Sequence, residues 1–289
     1  MTRKRFKLRL RSGVLSLGER TLVMGVLNVT PDSFSDGGRF LDPRRAVERG
    51  LAMEREGADL LDIGAESTRP GAHGIPAAEE LRRLLPVLEA LGRRLKIPIS
   101  IDTQKSAVAE MALGAGAQII NDVSGLRSDP RLAQVAAKSQ APLILMHMRG
   151  IPRSMQRGPF AREVLRDVMT GLRRSVAIAT KAGVEKSQIV IDPGIGFGKS
   201  FSQNYELLAR LPALAKLGFP MVVGASRKGF LGKTPARNGK PAPANERLWG
   251  TAAAVAATIL HGAHIVRIHD VAEMVEIARV ADQIVNQGQ

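Results

Sequence analysis

The residues able to do chemistry fall at regular places along the chain. Asn28, Asp102, Asn121, His147 and Asp192 each close a short apolar run, and Asp62 and Glu66 flank the end of another. Ser226, Arg227 and Lys228 follow a seventh run, and Arg267 and His269 finish an eighth. Chance would not place a polar residue after nearly every apolar run. Carboxylates and amides can read a ligand's hydrogen-bonding edge, and Arg, Lys and His can neutralise an anion. Arg267 is the hardest to explain as surface, because it lies between Val266 and Ile268. A buried guanidinium without a partner is costly, so it must meet a carboxylate or a bound anion. His269 is two positions on, which in a strand puts both side chains on one face. Such a pair suits an oxyanion or a phosphate.

Plainer explanations stand beside these. An Asp or Asn after a strand commonly caps the next helix, the preferred explanation for Asp122 and Asp129. His147 alone reads as a hydrogen-bonded structural residue. No Ser-His-Asp spacing is present, and with no cysteine a disulfide, a thiolate metal site and a Cys nucleophile are all excluded. No clustered His/Asp pattern suggests tight metal binding, but Asn28 and nearby Asp residues could share a loosely held Mg²⁺ with a diphosphate, since that ion prefers oxygen ligands. The segment DPGIGFGKS (192–200) is one residue short, from Gly194 to Gly198, of the phosphate loop G-x-x-x-x-G-K-[ST], so a nucleotide-binding site is rejected.

Eight strands are expected to position these residues: 22–28, 60–64, 97–102, 118–121, 143–147, 188–192, 221–224 and 265–269. Helical patterns follow them at 43–57, 77–95, 104–113, 130–139, 162–182, 202–217, 246–261 and 271–285, the first with Asp42 as N-cap and Pro43 at its first position. Eight strand–helix units give a (β/α)₈ TIM barrel, in which the polar strand ends converge on one face. A doubly wound sheet shares the alternation; the barrel is favoured because all eight units are similar and because of where the polar residues lie. The segment 6–17 alternates around Ser12-Gly13 and is expected to form a hairpin, within about 5–18, ahead of the barrel and covering its lower end. No linker or repeat divides the chain, so 1–289 reads as a single domain. Three long loops, 28–40, 66–74 and 232–245, are candidate lids or binding loops, the third read as an ordinary surface loop.

Composition agrees with an α/β enzyme. The chain is 44% hydrophobic but only 3% aromatic, so small aliphatics must form strands buried on both faces. The start, MTRKRFKLRL, has no apolar core, and no apolar run approaches the ~20 residues that span a membrane, so a cytoplasmic location is expected. The net charge of +15 raises nucleic-acid binding, but the basic residues are spread rather than blocked. An Arg-rich surface explains the charge, and a basic field could also draw in small anions.

Seven segments, in order, resemble the dihydropteroate synthase family of pterin-binding enzymes. They are NVTPDSFSDGG (28–38), DIGAESTRPGA (62–72), SIDT (100–103), INDVSG (120–125), DPGIGFGK (192–199), GASRKGFLG (224–232) and RIHDV (267–271). The resemblance runs from about Val23 to the end of the last helix. It implies condensation of 6-hydroxymethyl-7,8-dihydropterin diphosphate with 4-aminobenzoate, giving 7,8-dihydropteroate and diphosphate in folate biosynthesis. Carried over residue by residue, it implies that Asp102, Asn121, Asp192 and Lys228 hold the pterin. Asn28, Thr68, Arg267 and His269 hold the diphosphate, with Mg²⁺ at Asn28. Phe34, Arg69, Pro70, Phe197, Ser226 and Lys228 surround the aminobenzoate, and two mobile loops bring Asp36, Phe34, Thr68, Arg69 and Pro70 over the site. The implied catalytic set is Asn28, Asp36, Arg69, Lys228, Arg267 and His269. A sulfonamide target and a homodimer are also implied; the last two helices could offer a face, although core burial explains their Ala and Val equally well. The stretch 233–245 is more basic than the family pattern. The alternatives are a pterin-dependent methyltransferase served by a corrinoid protein and a nucleic-acid-binding barrel, and the strand-end residues argue against the second.

Overall fold

The computed structural model describes residues 3–30, 42–69, 71–233 and 241–287. A two-stranded antiparallel hairpin, β1 (Phe6–Leu10) and β2 (Gly13–Leu17), comes first. Eight parallel strands follow: β3 (Leu22–Asn28), β4 (Leu60–Gly64), β5 (Ile99–Asp102), β6 (Ile119–Asp122), β7 (Leu143–Met146), β8 (Ile189–Asp192), β9 (Val222–Val223) and β10 (Ile265–Ile268). Their hydrogen-bonded order is β8-β7-β6-β5-β4-β3-β10-β9. A parallel bridge between Ile191 and Met221 joins the two ends and closes the barrel. Around it lie α1 (Pro43–Arg55), α2 (Ala77–Gly92), α3 (Ser106–Gly114), α4 (Leu132–Ser139), α5 (Val164–Lys181), α6 (Phe201–Ala209), α7 (Leu211–Leu214), α8 (Gly229–Lys233), α9 (Leu248–Leu260) and α10 (Val271–Gln287). No described helix is long and apolar enough to cross a membrane.

Alternation along the strands sorts the core into two parts. Residues such as Val23, Leu61, Ile63, Ile101, Leu145, Ile191 and Val266 face outward and pack under the helices. The inward positions near the strand starts (Leu22, Met24, Leu60, Ile119, Ile144, Val190, Val222 and Ile265) form a separate apolar layer, into which the hairpin inserts Leu8 and Leu17. Burying each of these leucines is worth roughly 1.5–3 kcal/mol. The hairpin thus plugs the lower end, as its position in the sequence suggests. Gln188 bonds the Arg9 backbone through both side-chain atoms, 3.1 Å to N and 2.9 Å to O, and His264 lies 2.9 Å from the Lys4 carbonyl. With the bottom filled by hydrocarbon, polar inward positions remain only at the upper end.

Several local expectations are corrected. The hairpin turn is at Arg11-Ser12, and Gly13 already belongs to β2. The helix expected over 202–217 is broken into α6, α7 and a final 3₁₀ turn, since Pro212 cannot donate to a continuing helix. Asp122 caps no helix; its carboxylate accepts from the amides of Ser124 (2.8 Å) and Leu126 (2.6 Å) and folds the turn after β6. Asp129 accepts from the Arg131 amide at 3.2 Å, but also from N and Oγ of Ser106, at 3.0 and 2.6 Å, where α3 begins. Asp42 does cap α1, accepting from the Arg44 amide at 2.9 Å. The short helix α8 lies at the start of the third long loop, whose base is tied by a 2.9 Å bond from the Ala242 amide to the Gly232 carbonyl.

Candidate active site

The same alternation that lines the barrel bottom with hydrocarbon points Asp62, Asp102, Asn121, Asp192 and Arg267 inward one layer higher. Arg267 is the hub. Its Nε donates to Asp62 Oδ2 at 2.6 Å and its Nη2 to Asp102 Oδ2 at 2.9 Å. Asn121 Nδ2 donates to the same Asp62 oxygen at 2.9 Å. Burial opposes the Arg267 charge, but the Asp62 and Asp102 carboxylates outweigh it and its pKa rises. The guanidinium therefore stays charged, as the sequence demanded. Gly64, beside Asp102 in the register, is a glycine where a side chain would crowd: a Cβ there would lie 3.2 Å from the Asp102 Cβ.

Asp62 belongs to this cluster although sequence reasoning gave it no site role. It sits in the middle of β4, fully buried, and its Oδ1 has no hydrogen-bond partner among the described residues. The available signal was a carboxylate within an apolar run, two residues before Gly64 on the inward face. Burial raises the Asp102 pKa, against the pull of Arg267. Burial also pushes Asp192 up to about 6, although its Oδ1 accepts a 2.7 Å bond from the Gly194 amide.

Lys228 follows β9. Its Nζ lies 4.0 Å from the centroid of the Phe197 ring, a cation–π contact, and Gly196 passes beneath its stem, where a Cβ would come within 3.0 Å of Cδ. Burial, then Arg267, pushes the Lys228 ammonium down to about 8. Ser226, buried, accepts from the His269 amide at 3.2 Å and lies 3.0 Å from His269 Nδ1. Burial, then the cations Arg267, Arg227 and Lys228, pushes His269 down to about 3, so the ring is neutral. Next to this pair, Asp270 binds both arms of Arg227, holding the left-handed backbone of that residue (φ 56°).

The structure thus brings Asp102, Asn121, Asp192, Phe197, Ser226, Lys228, Arg267 and His269 to the upper end of one barrel. Asn28 ends β3 in register with Gly64, half-buried. Thr68 and Arg69 lie on the loop after β4, and among the described residues no hydrogen bond joins them to the cluster. Glu66 ties that loop at its base, accepting from the Ile75 amide at 3.1 Å and pairing with Lys105. Phe34, Asp36 and Pro70 lie outside the described residues. The His147 ring lies 3.2 Å, through Nδ1, from Nζ of Lys199, the last residue of the DPGIGFGK segment, to which the sequence assigned no role.

Comparison with known proteins agrees with this site. Residues 24–269 match the family described as pterin binding enzyme. The dihydropteroate synthase of Synechocystis sp. is 47% identical over 267 residues, covering 92% of this chain and 91% of the relative. The dihydropteroate synthase of Yersinia pestis, solved with a sulfonamide drug, superposes with a TM-score of 0.90 at 39% identity, over 98% of this chain and 100% of that one. That of Xanthomonas albilineans in complex with 7,8-dihydropteroate gives 0.85 at 39% identity, over 96% and 98%. These relatives are synthases, which sets the methyltransferase alternative aside. By its barrel, its strand-end residues and its relatives, the chain belongs to the dihydropteroate synthase family of pterin-binding enzymes.

Proposed function

We propose that this barrel joins 6-hydroxymethyl-7,8-dihydropterin diphosphate to 4-aminobenzoate, releasing diphosphate and 7,8-dihydropteroate. The observation that carries the reading is the Asp62–Arg267–Asp102 network, with Asn121 and Asp192 on the same inward layer, in a family whose Xanthomonas albilineans member binds 7,8-dihydropteroate. A pterin edge alternates N–H donors and acceptors, which Asp102, Asn121, Asp192 and Lys228 can match from inside the barrel. The amine nitrogen attacks the pterin methylene carbon as the carbon–oxygen bond to diphosphate breaks, and the nitrogen then gives up one proton to water. An electron-rich pterin and a good leaving group favour a loose, cation-like transition state. The enzyme's task is then to orient the amine and neutralise the departing anion.

In this reading Arg267, His269, Asn28 and Thr68 receive the diphosphate. With the Ser226 hydroxyl donating to Nδ1, the neutral His269 carries its proton on Nε2 and can donate it to a phosphate oxygen. Phe197, Ser226, Lys228, Arg69 and Pro70, with Phe34, surround the aminobenzoate, where a sulfonamide would compete; Asp36 completes the proposed catalytic set. Asn28 fits a shared Mg²⁺: one amide oxygen suits a hard ion that takes the rest of its shell from diphosphate and water. The ion would supply charge for the leaving group. The cytoplasmic location expected from the sequence is part of this proposal.

We assign the homodimer to α9 and α10, which pack side by side and expose Trp249 (80%), Val280 (63%), Ile284 (57%) and Leu260 (41%). Four exposed apolar side chains on two helices that pack together suit self-association. Trp249→Glu should shift light-scattering mass from dimer toward monomer; an unaltered dimer would move the interface elsewhere.

The testing assay supplies purified protein with the pterin diphosphate, 4-aminobenzoate and Mg²⁺, and follows diphosphate and dihydropteroate together. Equal release of both that depends on the amine supports the synthase. Tight pterin binding without product would overturn it.

A further inference from the structure

Lys199 touches no substrate in the reaction proposed above, yet its side chain is among the largest that are fully buried, 1% exposed. Taking an ammonium out of water is unfavourable unless its donors are met. Here Nζ donates to the carbonyl oxygens of Gly194 (2.8 Å), Phe197 (3.0 Å) and His147 (3.2 Å), and lies 3.2 Å from His147 Nδ1. Two of these carbonyls belong to the turn after β8, and the third to the residue that follows β7. One buried amine, whose pKa burial pushes down to about 7, therefore ties the ends of two neighbouring strands together.

The turn is laid tightly on its neighbour. Gly194 and Gly198 have φ of +67° and +66°, and a Cβ on either would come within 1.9 Å of the His147 carbonyl oxygen or 2.0 Å of the Arg149 one. Only glycine allows that backbone and that approach. The Gly196 amide donates to Asn204 Oδ1 at 2.6 Å, and the Gly196 carbonyl accepts from Gln156 at 2.7 Å. Ser200 then opens α6 with a reciprocal capping box to Gln203.

What this braced turn presents to the barrel mouth is Asp192, held by the Gly194 amide, and Phe197, the ring under Lys228. The His147 ring completes the far side. Burial, then Lys199 and two arginines, pushes its pKa well down, so Nδ1 is free to accept. Its Nε2 faces Asp167 at 3.5 Å, and the ring packs so closely on α5 that a Cβ on Gly171 would lie 2.4 Å from it.

We propose that Lys199 is a positioning residue for the reaction: by gathering the carbonyls of His147, Gly194 and Phe197, it holds Asp192 and Phe197 in the geometry that the pterin pocket requires. The inference rests on the synthase reading for what the pocket binds. It assigns a task to the last residue of the DPGIGFGK segment, distinct from that of Lys228, which faces the ligand.

The test is calorimetric titration of the pterin diphosphate into unaltered protein, Lys199→Met and His147→Gln, with circular-dichroism melts of each. Lys199→Met keeps the volume but removes every donor. It should fold and bind the pterin about 10–100-fold more weakly, because a displaced Asp192 loses a charge-assisted hydrogen bond to the ligand. His147→Gln keeps the carbonyl and should stay within about threefold of the unaltered affinity, since the carbonyl cage remains. A lowered melting temperature with unchanged pterin affinity in Lys199→Met would make the residue merely structural and overturn the proposal. Failure of the unaltered protein to bind the pterin would instead overturn the synthase reading. Should Lys199→Met not fold, amide exchange in the unaltered protein decides. The Gly194 and Phe197 amides should exchange as slowly as strand amides, and exchange at open-loop rates overturns the proposal.

Discussion

Arg267→Ala should lower kcat/KM by about 10²–10³-fold, the loss expected when a preorganised charge is removed from a developing anion. The variant should also be less stable, and for a reason the sequence does not contain. Arg267 is bonded to Asp62 and Asp102 at once, so its removal leaves two buried carboxylates without the guanidinium they share. Breaking a buried pair from one side typically costs about 3–5 kcal/mol. The carboxylates will respond by taking up protons, so the loss should be smaller in mildly acidic buffer than at pH 8. Arg267→Lys keeps a charge but cannot span both carboxylates in the planar fork, and should recover stability better than turnover. Urea melts at two pH values, alongside steady-state rates, check both parts. Near-normal activity in Arg267→Ala would remove this residue from the mechanism.

The second large effect concerns Asp192. Asp192→Asn should weaken pterin affinity by about 10–100-fold, since one N–H of the ligand edge then meets an amide that cannot match a carboxylate. The turn should survive, because an Asn oxygen can still accept the Gly194 amide. Burial raises this carboxyl from 3.8 to about 6, so the folded state binds its proton more tightly than the unfolded chain does. The sign follows from linkage. The group's contribution to stability is fully present below about 4 and is lost as pH rises through about 6. Melting temperatures of the unaltered protein should therefore carry a decline across that window that Asp192→Asn lacks. Pterin affinity should run the other way in the unaltered protein, falling as pH drops below about 6 and the carboxylate is protonated. A calorimetric affinity that is unchanged in Asp192→Asn would count against a carboxylate reading the pterin edge.

Much of this was legible in the residues. Apolar runs ending in Asp, Asn or His, spaced by helical stretches, marked the strands, and β3 and β4 fall on the residues expected. Arg267 between two apolar neighbours announced a buried charge in need of partners. Where the expectations slipped, the reason was local competition. Asp122 had two nearby amides to bind and so never reached a helix, and Pro212 broke a helix that its apolar pattern would have continued. Asp62 was noticed only as a strand-flanking residue, because nothing in LLDIG says which carboxylate across the barrel shares its cation.

That eight short strands would alternate with helices, that their inward polar positions would lie at one end, and that a cation would be buried among them could be read from the residues alone. These depend on side-chain period and on the cost of burying charge, both local properties. Barrel closure was needed to place Arg267 between Asp62 and Asp102, to hold His269 neutral, and to enclose Lys199, whose residue type is usually at the surface, by three carbonyls. Each of those follows from which strand ends the closed barrel brings within 3 Å or so of one another, and that proximity is set by register and closure across distant parts of the chain.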